Sequence, residues 1–278
     1  MASELTKRLI VAAIGIPLCL AVAWIGGWVF AAGLGVLAWL AVGEIGAMFG
    51  ERSDPLLSRV AAFLAGLFPL AALVAGPGAA GWLAVGCLLT LLGIAALRIP
   101  PPEMPFQTAA LFFTASFYVG GLISFGVPLR ESLPGRLEGT LLFFLPVVVT
   151  WVVDTAAYTG GRALGRRKMA PAISPNKTVE GGVSGLLAGP VAALVWTRFA
   201  LPDVLTVAGT GRIALLGLLL AAAAILGDLV ESSLKRECGV KDSSQLLPGH
   251  GGLLDRMDSL LWTIPVAWFF LHFFTRVG

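Results

Sequence analysis

The sequence predicts an all-α protein: a polytopic transmembrane helical bundle of about nine transmembrane helices, with its N-terminus cytoplasmic. Three observations predict it. Of the 278 residues, 57% are hydrophobic and only 13% are charged, about half the charged share of a typical soluble domain. The mean hydropathy of +0.89 is more apolar surface than one soluble core of this size can hide. The apolar residues also fall in stretches long enough to cross a hydrocarbon layer of about 30 Å, which takes roughly 20 helical residues. Together these exclude a cytosolic globular enzyme, a disordered chain and a secreted disulfide scaffold. Cys19, Cys87 and Cys238 have neither metal-ligand nor redox spacing, so no disulfide framework or zinc site is expected.

The spans fall near residues 9–26, 28–49, 56–76, 80–98, 107–127, 138–159, 181–200, 212–234 and 258–276. The first follows Lys7 and Arg8, as the apolar part of a signal peptide would. It is long, contains Pro17 and runs at once into the second span, so it reads as a retained helix. The second holds Glu44 alone, with two readings open: a buried structural partner, or a residue on a substrate path. Pro100, Pro101 and Pro102 make a rigid connector before the fifth. The seventh opens with Gly181, Gly185 and Gly189, spaced four apart, a stripe that suits close helix packing. Trp28, Trp82 and Trp196 lie near span ends as bilayer anchors, and His272 sits in an aromatic run at the end of the ninth, at the interface.

Charge sets the orientation. The N-terminus and the connections after spans 2, 4, 6 and 8 share one side and carry 14 of the 19 basic residues. Arg130, Arg136, Arg198, Arg212 and Arg276 fall on the other. The positive-inside bias makes the first side cytoplasmic, with the C-terminus outside. Charge is uneven along the chain too: residues 154–258 hold 20 of the 35 charged residues. Residues 1–137 therefore read as an N-terminal transmembrane scaffold. Residues 138–278 read as the catalytic region, with two cytoplasmic active-site loops at 160–180 and 235–257.

Two segments on the cytoplasmic side carry the chemistry. In the second, Asp228 follows the apolar run Ile213–Gly227, where an ionised carboxylate costs at least about 2.5–3.5 kcal/mol at a helix centre. Asp228, Glu231, Ser232 and Lys235 are spaced i, i+3, i+4, i+7 and share one helix face. Asp255 and Asp258 form another i, i+3 pair. Two such pairs facing one another would make an oxygen-lined site suited to Mg²⁺ beside phosphate oxygens. The plainer reading is ion pairing at helix ends, and four carboxylates beside a Gly-rich loop and several cations weigh against it. In the first segment, glycines around Gly160, Gly161 and Gly165 let backbone N–H groups approach an anion, and Lys177 follows a Ser174–Pro175 turn just before a helix start. Arg166, Arg167 and Lys168 read more simply as positive-inside residues or contacts to anionic lipid heads.

These residues resemble a known family. Ser232-Ser233-Leu234-Lys235-Arg236, Lys241-Asp242, then His250-Gly251-Gly252-Leu253-Leu254-Asp255-Arg256-Met257-Asp258 resemble the signature of the CDP-diacylglycerol synthases, or phosphatidate cytidylyltransferases. Asp154, Tyr158, Gly161 and Gly165 with Ser174-Pro175-Asn176-Lys177-Thr178 and Glu180-Gly181 are similar to that family's other loop. The resemblance is strong over residues 138–260. It implies that CTP and phosphatidate give CDP-diacylglycerol and pyrophosphate in phospholipid biosynthesis. It further implies Mg²⁺ dependence, with a second cation left open, a bacterial inner-membrane location, a homodimer and no nucleic-acid partner. It makes Lys177, Asp228, Lys235, Arg236 and Asp255 the catalytic candidates. Ser174, Asn176, Lys177, Thr178, Ser232, Ser233, Lys241, His250 and Arg256 would bind substrate, and Asp228 and Asp255, with Glu231 and Asp258, would hold metal. A membrane CTP-dependent polyprenol or phytol kinase is the nearest enzyme alternative. An ion-coupled secondary transporter is the alternative from another class, disfavoured by the absence of an inverted repeat and by cations clustered on one side.

Overall fold

The computed structural model describes residues 4–50, 54–100, 103–249 and 251–275, without the side chains of Glu4, Leu5, Lys7, Arg8 and Ile10. His250, Arg52, Pro101, Pro102 and Arg276, named above, lie outside the described residues. Among these residues, eight helices are long and apolar enough to cross a membrane, from Gly27–Phe49 to Leu254–Phe274, and Val11–Ile25 is a shorter apolar helix. The protein is thus a helical, polytopic membrane protein. The chain divides into two compact units, one of Met1–Pro128 with Val240–Arg256, the other of Leu129–Gly239 with Met257–Gly278. The 240–256 loop packs within the N-terminal unit, where Glu44 accepts hydrogen bonds from it.

The N-terminal unit contains α1 (Glu4–Ile25), α2 (Gly27–Phe49), α3 (Pro55–Ala75), α4 (Ala79–Arg98) and α5 (Pro105–Ser116), the last continued by a π-helical turn, Phe117–Gly121. Asp54 caps α3, accepting hydrogen bonds from the backbone N–H groups of Leu56 and Leu57, both at 2.9 Å, with Pro55 at the first helical position. Helices α2 and α3 touch where both lack side chains: a Cβ on Gly35 would lie 2.5 Å from the carbonyl oxygen of Gly66. With lipid outside as apolar as the core, this close backbone approach is what draws the helices together. Ser116 donates to the Ala61 carbonyl at 2.9 Å and so ties α5 to α3. Phe68, Phe112, Leu57, Ile45 and Leu91 are fully or almost fully buried here. The exposed apolar side chains, such as Leu97 and Trp82, suit a lipid-facing surface.

The C-terminal unit is built from α7 (Arg136–Leu164), α8 (Val179–Ala200), α9 (Pro202–Ala208), α10 (Thr210–Glu237) and α12 (Leu260–Phe274). The short α6 (Gly126–Glu131) precedes α7, and α11 (Leu254–Met257) precedes α12. The glycine stripe of α8 lies in helix contacts. A Cβ on Gly181 would lie 2.6 Å from the Ala157 carbonyl of α7, and one on Gly189 would strike the Gly217 carbonyl of α10. Trp196 donates its indole N–H to the Leu141 carbonyl of α7 at 3.0 Å.

Two features refine the helical reading. Strands β1 (Lys168–Ala170) and β2 (Ser174–Thr178) pair antiparallel, with Lys168 opposite Thr178, so the 160–180 loop holds a small hairpin. Helices α7 and α10 also run past their apolar stretches, to Leu164 and Glu237. Lys235 and Arg236 therefore sit on a helix rather than in a loop. The Glu231–Glu237 segment is made of fair helix formers, and α10 stops only where Gly239 takes a left-handed φ of +71°.

Candidate active site

Within the C-terminal unit the helix period acts as the spacing implied. On α10, Ser232 donates to Asp228 Oδ1 at 3.3 Å, and Lys235 Nζ lies 2.6 Å from Glu231 Oε2. Glu231 and the Lys235 side chain are deeply buried, at 1% and 12% exposure. Lys177 reaches α10 from the end of β2, with its Nζ 2.5 Å from Asp228 Oδ2. The hairpin is what makes that reach possible. Arg236 Nε donates to the Ile173 carbonyl in the hairpin turn at 3.3 Å. Thr178 caps α8 by accepting from Gly181 N at 3.2 Å.

Asp258 is brought to the same place by a close crossing of α10 with the chain entering α12. Gly227 has no room for a side chain: a Cβ would lie 2.7 Å from the Asp258 carbonyl oxygen and 3.1 Å from Ser259 Cα. Ser259 donates to the Ala224 carbonyl at 3.1 Å, and its N–H donates to Asp258 Oδ1 at 2.6 Å. As a result Asp228, Glu231 and Asp258 each offer a carboxylate oxygen, all within 4.8 Å of one another. Asp154 on α7 lies in electrostatic range of Asp228 and Lys177, and Asp258 in range of Asp228, Asp154 and Lys235. If all ionise, these four carboxylates outnumber the two lysine ammonium groups held against them. An oxygen donor set with that excess fits a hard divalent cation such as Mg²⁺.

The other residues named from the sequence are spread more widely. Ser174, Asn176 and Thr178 lie on β2 beside Lys177, Asn176 exposed and Ser174 and Thr178 half-buried. Ser233 is exposed on α10. Arg166 and Arg167 present their backbone N–H groups to the Glu180 carboxylate, at 3.0 Å and 3.2 Å. Glu180 thus closes this connection, a role the spacing did not reveal. In the N-terminal unit Lys241 and Arg256 are exposed. Asp255 organises its own loop: its Oδ2 accepts from Ser243 N at 3.0 Å and Gly252 N at 2.8 Å, and lies 3.1 Å from Ser243 Oγ. Gly227 and Ser259 were not singled out from the sequence. The glycine one position before Asp228 was the available signal. A cavity of about 650 Å³ in this unit, lined by Leu137, Glu138, Leu141, Leu201, Val204 and Val207, lies at the other end of α7. Glu138 and Asp154 are 16 residues apart on one helix, which is about 24 Å.

Comparison with known proteins agrees with this chemistry. The chain is 33% identical over 299 residues to a phosphatidate cytidylyltransferase of Synechocystis, covering 96% of each chain. It is 34% identical over 195 residues to one from Haemophilus influenzae, covering 70% of this chain and 67% of the relative. It is also 38% identical over 170 residues to one from Bacillus subtilis, covering 61% of each. Residues 6–274 match the cytidylyltransferase family. Carboxylates gathered at a helix crossing, lysines held against them and a match along nearly the whole chain agree: this protein is a nucleotidyltransferase enzyme that belongs to the cytidylyltransferase family.

Proposed function

We propose that this enzyme transfers CMP from CTP to phosphatidate, giving CDP-diacylglycerol and pyrophosphate. The observation that carries the reading is the cluster of Asp228, Glu231 and Asp258 with Lys177 and Lys235 held against it. The phosphate monoester of phosphatidate has a second pKa near 6, so at neutral pH it is largely a dianion and needs no dedicated general base. One of its oxygens attacks the α-phosphorus of CTP. A new P–O bond forms there, the bond from that phosphorus to the bridging oxygen of the β-phosphate breaks, and its electron pair leaves with pyrophosphate. The obstacle is bringing two polyanions together, so fixed cations dominate the catalysis.

Asp228, Glu231 and Asp258 would hold Mg²⁺, which when bound offsets charge on phosphate oxygens. Lys177 and Lys235 orient the phosphates as point charges, and Arg236 adds a third cation at the end of α10. Ser174, Asn176, Thr178, Ser232 and Ser233 supply neutral donors around them. Asp255 contributes through the loop that carries Lys241, His250 and Arg256.

The same reading gives nine spans, counting α1, with the N-terminus and the site on the cytoplasmic side of a bacterial inner membrane. There CTP arrives from water and phosphatidate enters sideways between helices. The protein works as a homodimer in this proposal. The reaction is tested by incubating purified protein with radiolabelled CTP, phosphatidate and Mg²⁺. Pyrophosphate and a labelled lipid are expected. Release of CDP with a γ-phosphoryl transfer product would identify a kinase instead.

A further inference from the structure

Glu44 is a single carboxylate in the apolar helix α2, 6% exposed. Its oxygens are fully used. Oε1 accepts from Ser244 Oγ at 2.6 Å and Leu253 N at 2.8 Å. Oε2 accepts from Ser243 Oγ at 2.9 Å and Leu254 N at 2.9 Å. The four donors come from the two ends of the loop that carries the Gly-rich signature, so one side chain staples residues 243–244 to residues 253–254. Two of those donors are backbone N–H groups at the start of α11, which its own helix cannot satisfy. The loop also has no slack at this point. A Cβ on Gly252 would strike Ser243 Oγ and lie 2.7 Å from Glu44 Oε2 and 2.8 Å from Ser244 N. Ser243 Oγ is within hydrogen-bond distance of both Glu44 and Asp255, so the two carboxylates shape the loop together.

We propose that Glu44 is a positioning residue for cytidylyl transfer: it touches no reactant and instead holds the signature loop, with Asp255, in its working shape. This rests on reading that loop as part of the active site. The chemistry demands a carboxylate. An amide at this place offers one acceptor oxygen, and its NH₂ group would face hydrogen-bond donors in a buried pocket.

The test uses the full chain in lipid nanodiscs with CTP, phosphatidate and Mg²⁺. Glu44→Gln should lower kcat at least tenfold, with a smaller change in KM. Hydrogen exchange of peptides covering 243–254 should speed up while those covering 210–237 keep wild-type protection. Glu44→Asp, which keeps both acceptor oxygens, should recover part of kcat, and Gly252→Ala should behave like Glu44→Gln. Turnover within twofold of wild type in Glu44→Gln would overturn the proposal. So would lost turnover with an unchanged loop. If Glu44→Gln does not fold, Ser243→Ala/Ser244→Ala replaces it, with at least a threefold loss of kcat and a faster-exchanging loop expected; wild-type kcat there overturns the proposal. Asp228→Asn is the control for the site itself. It should abolish turnover with normal loop exchange, and an active Asp228→Asn would refute the metal cluster while leaving the Glu44 result to be judged separately.

Discussion

Lys235 and Glu231 form the most buried ion pair of the cluster, with side-chain exposures of 12% and 1%. Such a pair adds little net stability compared with apolar packing, but removing one partner strands a charge in a medium that cannot solvate it. Lys235→Met should therefore destabilise the protein by about 3–5 kcal/mol, read as a lowered thermal midpoint. Lys235→Met/Glu231→Gln should recover most of that stability without recovering turnover. A Lys235→Met protein as stable as wild type would show that the pair carries no buried charge. Residues of this kind were legible in the sequence because i, i+3 and i+4 spacing puts them on one helix face whatever the tertiary fold. Lys177 was legible only as a cation before a helix. Its pairing with Asp228, 51 positions along the chain, required the β1–β2 hairpin, which no apolar periodicity announces.

At the scale of elements, two close helix crossings play different parts, one in packing and one at the site. Where α8 meets α10, Gly189 and Gly217 leave no space between the backbones. Where α10 meets the chain entering α12, Gly227 does the same beside Asp258. The two should respond differently to substitution. Gly189→Leu overfills a helix contact away from the carboxylates and should cost about 1–3 kcal/mol of stability, with a modest change in kcat. Gly227→Ala pushes on the Asp258 carbonyl. A misplacement of about 1 Å can cost on the order of a hundredfold in rate, so its kcat should fall far more than its thermal midpoint. Equal ratios of lost activity to lost stability in the two variants would contradict this assignment. The glycine stripe on α8 could be read in advance because its spacing is regular. Gly227 belongs to no such regular stripe, and its meaning depends on a partner 31 positions later.

For the whole molecule, the asymmetry of basic residues makes a topological prediction. A reporter that is active only outside the cytoplasm, fused after residue 278, should be active, and one fused after residue 239 should be silent. The reverse pattern would invert the orientation, and activity at both positions would change the span count. The contact pattern makes a second point at this scale. The chain returns to the N-terminal unit between Val240 and Arg256, and Glu44 of α2 bonds the signature loop there.

By itself the sequence determined the membrane class, the helical content, the near positions of the spans, the family and the carboxylate face of α10. The family follows from the resemblance of the motifs at 154–181 and 232–258; the rest follow from composition and from short-range periodicity, which the chain carries whatever its neighbours do. Only the tertiary structure decided that Asp258 joins Asp228 and Glu231, that Asp255 folds its own loop, and that Glu44 anchors that loop from 199 residues away. Those outcomes depend on which polar groups meet once helices pack. A buried carboxylate must find donors wherever the fold brings them, and no local pattern in the chain says where that will be.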